Sequence, residues 1–164
     1  MTTPQLPTTN ITDPPPAAGA EITTATAGWF DYPVRVSPHH TDHGGVVWHG
    51  AYLTWMEEAR IEALRAVGVE YRDLVDLGCE LPVVDLGLRY HRAIRMGEGA
   101  IVRCRMQDMT GIRLVWDYEI RSRNYEILHV SGQVTLVAVD WQKGRAFRKL
   151  PPEIKAALVK VTMR

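Results

Sequence analysis

The chain has 164 residues, 46% of them hydrophobic, which is one domain's length with enough apolar content for a core. Nineteen basic residues balance 19 acidic ones, so composition supplies no charged surface for nucleic acid or an anionic membrane. No run approaches the roughly 18 apolar residues of a membrane span, and the two cysteines make neither a disulfide framework nor a zinc knuckle.

Residues 1–28 hold five of the ten prolines and eight threonines, with only Asp13 and Glu21 charged. They bury too little to offset their ordering entropy and read as a disordered Pro/Thr-rich tail ahead of one domain over 29–164. The tail lacks both the basic-then-apolar order of a signal peptide and the arginines of a transit peptide, so a soluble, cytoplasmic protein is expected. Fifteen of the basic residues are Arg, a bias that suits carboxylate or phosphate ligands.

"WFDYPVRV" reads as a short strand, followed by a loop, "SPHHTDHGGVVWHGAY", that crowds four histidines around Asp42. In "YLTWMEEARIEALRAVG", Tyr52, Met56, Ala59, Ala63 and Val67 recur at helical spacing, and Gly68 supplies a stop. "EYRDLVDLG" is a shorter helix. Four alternating runs follow: "LPVVDLGLRYH", "AIVRCRMQDM", "IRLVWDYEIR" and "ILHVSGQVTLVAVDW", each expected to lay one face on a core. "DMTG" and "SRNYE" supply turns, "QKGR" ends the last strand, and Pro151-Pro152 opens a terminal helix to about residue 160. The order predicts an α+β domain in which an antiparallel sheet wraps one buried helix of about 19 residues, or roughly 28 Å. Five tryptophans and an uncovered sheet face point to a dimer.

The histidine-rich loop admits three readings. "HHTDHGG" puts His40, Asp42 and His43 in register with the H-x-H-x-D-H signature of metallo-β-lactamase-type hydrolases, but Pro38 stands where the first ligand belongs. The second reading leaves His39, His40 and His43 as incidental loop residues and Asp42 as a turn former. In the third, the Gly44-Gly45 turn brings Asp42 back beside the free amides of a helix beginning near His49 and Gly50. That places a base or nucleophile next to an oxyanion site, an acyl-transfer geometry without metal.

"TDHGGVVWHGAYLTWMEEAR" resembles the D-x-x-G-x-V-aromatic signature of hot-dog-fold acyl-CoA thioesterases, and is most similar to the 4-hydroxybenzoyl-CoA thioesterase and Tol-Pal-associated branch. The similarity continues through "LPVVDLGLRYHRAIRMGE" to "VDWQKGRAFRKLP", roughly residues 29–153. It implies a hot-dog fold, five antiparallel strands around a central helix in β-α-β-β-β-β order, and hydrolysis of an acyl-CoA. Asp42 matches the nucleophile or general base, and His49 the residue whose amide polarises the thioester carbonyl. Gly45, Trp48 and Gly50 complete the turn and oxyanion site. Arg89, His91 and Arg92, with Arg95 beyond them, fall where basic side chains meet coenzyme A phosphates, and Tyr52, Trp48 and Trp55 would suit a flat aromatic acyl group. The resemblance also implies a homodimer or homotetramer with its site between subunits, and no metal or cofactor, coenzyme A being part of the substrate. Two departures stand out: Pro38 replaces a tyrosine and His40 an acidic residue. Another hot-dog subgroup carries its carboxylate on the helix, where Glu57 and Glu58 stand here. A hot-dog dimer that binds an acyl-CoA or acyl carrier protein without hydrolysis is the alternative.

Overall fold

In the computed structural model, which describes residues 28–162, the chain enters the fold at β1 (Phe30–Arg35). The predicted tail, apart from Gly28, lies outside the described residues. The long helix α1 (His49–Arg65) follows, then α2 (Tyr71–Asp76), β2 (Cys79–Glu80), β3 (Val83–Tyr90) and β4 (Gly99–Met106). The rest of the chain forms β5 (Arg113–Ser122), β6 (Leu128–Val137), β7 (Val139–Asp140), β8 (Arg145–Ala146) and α3 (Pro152–Thr162). Five strands form one antiparallel sheet in the order β1-β4-β5-β6-β3, wrapped around α1, which is the hot-dog arrangement expected.

Alternation explains the core. Val102, Cys104 and Met106 of β4, Leu114, Trp116, Tyr118 and Ile120 of β5, and Val130, Val134 and Leu136 of β6 all turn inward and are buried. They meet the face of α1 formed by Tyr52, Trp55, Met56, Ala59 and Ala63. Each large side chain sequestered this way contributes about 1.5–3 kcal/mol. Among the described residues no helix is long and apolar enough to cross a membrane.

Four local expectations differ from the structure. α1 begins at His49 as expected but ends at Arg65, short of Val67 and the Gly68 stop, so it has 17 residues. "QKGR" does not end the last strand but turns β7 into β8, with Gly144 at φ +60°, giving a second small sheet, β2-β7-β8. In "ILHVSGQVTLVAVDW" the alternation puts His129 with Ser131 and Gln133 on the polar face, yet it is buried because the β5–β6 register slips between Ile120 and Arg121. Most consequential, β3 does not rest one face on the core. Seven of its eight residues are exposed, because β3 is the sheet edge farthest from β1 and β4, the strands α1 packs against. A register slip between Val83 and Asp85 also sets Val83 opposite Leu136.

Candidate active site

A short 3-10 turn, Pro38–His40, leads into a tight reversal. Thr41 pairs with Val47, the Asp42 N–H donates to the Val46 carbonyl (2.9 Å), and the Gly45 N–H donates to the Asp42 carbonyl (3.0 Å). Gly45 sits at φ +74°, a conformation that costs a side-chain-bearing residue. The Asp42 carboxylate is split between two tasks. Its Oδ1 accepts the N–H groups of Gly44 (2.8 Å) and Val46 (3.4 Å), whereas Oδ2 has no hydrogen bond among the described residues. One oxygen therefore holds the turn, as aspartate does in such loops, and the other faces solvent. The hairpin is tied to the segment after β3 by the Val47 N–H to the Ile94 carbonyl (2.9 Å), a Val46–Arg95 bridge, and the Met96 N–H to the Gly45 carbonyl (3.1 Å).

α1 starts directly behind the hairpin with Trp48 as its N-cap and no side chain capping it. The His49 and Gly50 amides have no acceptor among the described residues, as the first turn of a helix dictates. The outer end of the Trp48 indole sits against Gly50, where an added Cβ would come within 2.1 Å of the ring, so a side chain here would displace the indole. Val47, His49, Tyr52, Tyr90, His91 and Arg92 line a cleft of about 270 Å³ beside this helix start. Tyr90 closes it from β3: its hydroxyl donates to the His49 carbonyl (3.2 Å) and its ring stands 5.5 Å from that of Tyr52. Burial raises the Tyr52 phenol above its ordinary value, against an opposing hydrogen bond from the Ile94 backbone. His129 fixes the far wall, since its Nδ1 donates to the Arg92 carbonyl (3.0 Å) and its own carbonyl accepts the Arg92 N–H (3.2 Å). His91 is hydrogen-bonded through Nε2 to the Ser131 hydroxyl (2.8 Å).

Of the residues expected at a site, His49, Tyr52, His91 and Arg92 share the cleft wall. Asp42, Gly45, Trp48 and Gly50 lie on the hairpin and first helical turn leading to it, with Asp42 off the wall itself. Arg89, opposite Ser131 in the β3–β6 ladder, is likewise not on the wall. Tyr90 was missed: it reads as one more apolar position of β3, and only the packing of β3 beside α1 reveals its bond to His49. Glu57 and Glu58 are exposed on α1, and Glu58 accepts the Tyr32 hydroxyl (3.3 Å).

His40 is not the incidental loop residue expected. Its Nδ1 accepts the Ser37 N–H (3.0 Å) and its ring packs edge-on against Trp55 at 5.1 Å. The described residues contain no group of three or more His, Cys, Asp or Glu placed to hold a metal ion. Burial, helped by the neighbouring His39, lowers the His40 pKa from its ordinary 6.5. A ring whose folded pKa lies below the unfolded value supports folding fully above about pH 6.5 and loses that support as pH falls. Unfolding free energies measured from about pH 8 to about pH 5 should therefore fall more steeply for the wild type than for His40→Asn. Identical slopes would remove His40 as the source.

The thioesterase superfamily model matches residues 44–127, from just after Asp42 to the start of β6. A Synechocystis protein assigned by name to the esterases, sll0410, is 49% identical over 96% of this chain and 95% of its own length. The chain belongs to the thioesterase superfamily. Escherichia coli O157:H7 acyl-CoA thioester hydrolase YbgC is 31% identical to this superfamily member over 77% of it and 93% of YbgC. A DHNA-CoA thioesterase from Staphylococcus aureus superposes on it with a TM-score of 0.73 at 28% identity, covering 81% of this chain and 90% of that one. The Synechocystis 1,4-dihydroxy-2-naphthoyl-CoA thioesterase Slr0204 shares the fold, with a TM-score of 0.72 at 22% identity over 80% of this chain and 96% of that one. The superfamily match thus covers the helix start and the Tyr90–Arg92 wall but leaves α3 and the β7–β8 turn outside it.

Proposed function

We propose that this chain hydrolyses an acyl-CoA, with Asp42 as nucleophile or general base and the His49 and Gly50 amides as the oxyanion site. Thioester hydrolysis as the class of reaction follows from the superfamily, and the relatives' names favour a coenzyme A ester over other thioesters. One observation carries the catalytic assignment: Asp42 Oδ1 is pinned by two amides while Oδ2 is open, seven residues ahead of an uncapped helix start. As a general base, Asp42 takes a proton from water, whose oxygen bonds to the acyl carbon. The C–S bond breaks, its electrons leave on sulfur, and the proton passes to the thiolate, giving the free acid and coenzyme A. As a nucleophile, Oδ2 itself forms the C–O bond and expels the thiolate, and water then cleaves the mixed anhydride. In both, the amides hold the negative charge that develops on the carbonyl oxygen. His91 and Arg92 at the cleft wall suit the phosphates of coenzyme A. The 4-hydroxybenzoyl-CoA and Tol-Pal-associated branch and a cytoplasmic location complete this reading. It needs no cofactor, since coenzyme A is part of the substrate.

The test is thiol release from a panel of acyl-CoAs by the full chain, with and without a chelator. Activity lost to chelation and restored by zinc would redirect the reading to His40, Asp42 and His43 as metal ligands. A binding-only role is the competing reading, favoured by the position of Asp42 off the cleft wall. Saturable acyl-CoA binding without thiol release would establish it.

Self-association is part of the proposal. Val83, Val84 and Leu86 are half-exposed on an edge strand whose outer backbone groups lack ladder partners among the described residues, a surface that invites a second strand. A second copy adding its own β3 would extend the sheet and close the α1–β3 flank, giving a dimer, with a tetramer as a further pairing. Leu86→Lys is expected to convert an oligomer of two or four chains to monomer by light scattering, and to lower thiol release by about tenfold or more through loss of one cleft wall. A variant that keeps the wild-type mass would place the interface elsewhere.

A further inference from the structure

Beyond the Tyr52–Tyr90 pair, the same flank of α1 holds a second hollow of about 150 Å³ between the helix and β3. Leu53, Met56, Leu86 and Val134 make its apolar walls, and its polar groups are Glu57 and Arg60. His49, Leu53, Glu57 and Arg60 recur at helical spacing, so one stripe of α1 leads from the oxyanion site to this hollow. The Arg60 side chain is only 11% exposed. One of its guanidinium N–H groups donates to the Tyr118 hydroxyl (3.1 Å), and the Glu57 carboxylate stands 3.9 Å away, beyond hydrogen-bond reach. Burial pushes the Tyr118 phenol well up, so that partner is neutral. Guanidinium carries five donors, so beyond the Tyr118 bond and the loose ion pair with Glu57 it keeps donor capacity at the wall of the hollow. Glu57, two-thirds exposed, adds an acceptor at the same spot. A ligand group that accepts from Arg60 and donates to Glu57 satisfies both, and a hydroxyl does so. A carboxylate would be repelled by Glu57, and a methyl would add no hydrogen bond to either side chain.

We propose that Arg60 and Glu57 are specificity-determining residues that read a hydroxyl on the end of the acyl group remote from the thioester. The substrate class is an ω-hydroxyacyl-CoA of medium chain length. Eight helix residues separate His49 from Glu57, about 12 Å of rise, which such a chain spans and a single aromatic ring does not. The proposal rests on the thioesterase reading above.

The experiment compares kcat/KM for 10-hydroxydecanoyl-CoA and decanoyl-CoA within each protein sample, so that the folded fraction cancels from the ratio. The wild type should prefer the hydroxylated ester. Arg60→Met should lower that preference by about 10- to 100-fold, the worth of a hydrogen bond to a charged group. Arg60→Lys should restore part of it, and Glu57→Gln, at an exposed position the fold tolerates, should lower it in the same direction. A wild-type ratio at or below one, or a ratio unmoved by Arg60→Met and Glu57→Gln, overturns the proposal while observed thiol release leaves the thioesterase reading standing. No thiol release from either ester or from the wider panel overturns both.

Discussion

Asp42→Asn is expected to abolish nearly all thiol release while leaving the fold as it is. Asparagine keeps an Oδ1 that accepts the Gly44 and Val46 N–H groups, so the turn survives. What changes is the oxygen without a partner, which becomes an amide nitrogen unable to attack a carbonyl or take a proton from water. Removing a positioned base costs about 10²- to 10⁴-fold in turnover. An exposed, nearly isosteric change should shift stability by no more than about 0.5 kcal/mol. Thiol release and thermal unfolding, measured on the same samples, separate the two effects. Undiminished turnover would end the catalytic assignment of Asp42, and a collapse in melting temperature would show that the carboxylate serves the turn above all.

Trp55→Ala carries the largest expected loss of stability. Trp55 is 1% exposed, and its ring lies edge-on to Tyr52 at 5.5 Å and to His40 at 5.1 Å. It is thus both a core side chain of α1 and the backing of the loop that carries Asp42. Removing a buried indole costs about 3–5 kcal/mol, a large share of the 5–15 kcal/mol typical of a domain. Denaturant unfolding should show the loss as a lower midpoint at unchanged slope. The steep acid dependence attributed to His40 should flatten in the same variant, because its ring would no longer be sheltered. A loss below about 1 kcal/mol would mean that the site repacks around the cavity.

The strands and the central helix were legible because alternation and helical spacing survive into burial: the inward residues of β4 and β5 are the ones the period selects. The edge position of β3 was not legible. Its apolar alternation is indistinguishable from that of a covered strand, because a period of two reports faces and not the order of strands in the sheet. His129 was misplaced for a different reason, since a one-residue bulge resets the period of two and carries a polar side chain inward. β7 and β8, at two residues each, are too short to show any period. In the candidate site, the loop motif and the helix start were readable from local residue order. The wall was readable only in part: His91 and Arg92 were picked out by their charge, but Tyr90 acts through a contact 41 residues away in sequence.

The strand order also sets when the cleft can exist. Among the described strands β3 pairs only with β6, and the hairpin holding Asp42 is anchored to Ile94 and Arg95, just past β3. An N-terminal fragment stopping before Leu128 would contain Asp42, His49, Tyr52 and Tyr90–Arg92, yet would lack the strand on which that wall is hung and the His129 that grips Arg92. During synthesis Tyr90, His91 and Arg92 are made before β6, the strand that holds them. The cleft is thus a late product of folding, formed by contacts distant in sequence, and its β3 wall, held on one side only, has fewer backbone bonds to keep it closed than any inner strand of the sheet.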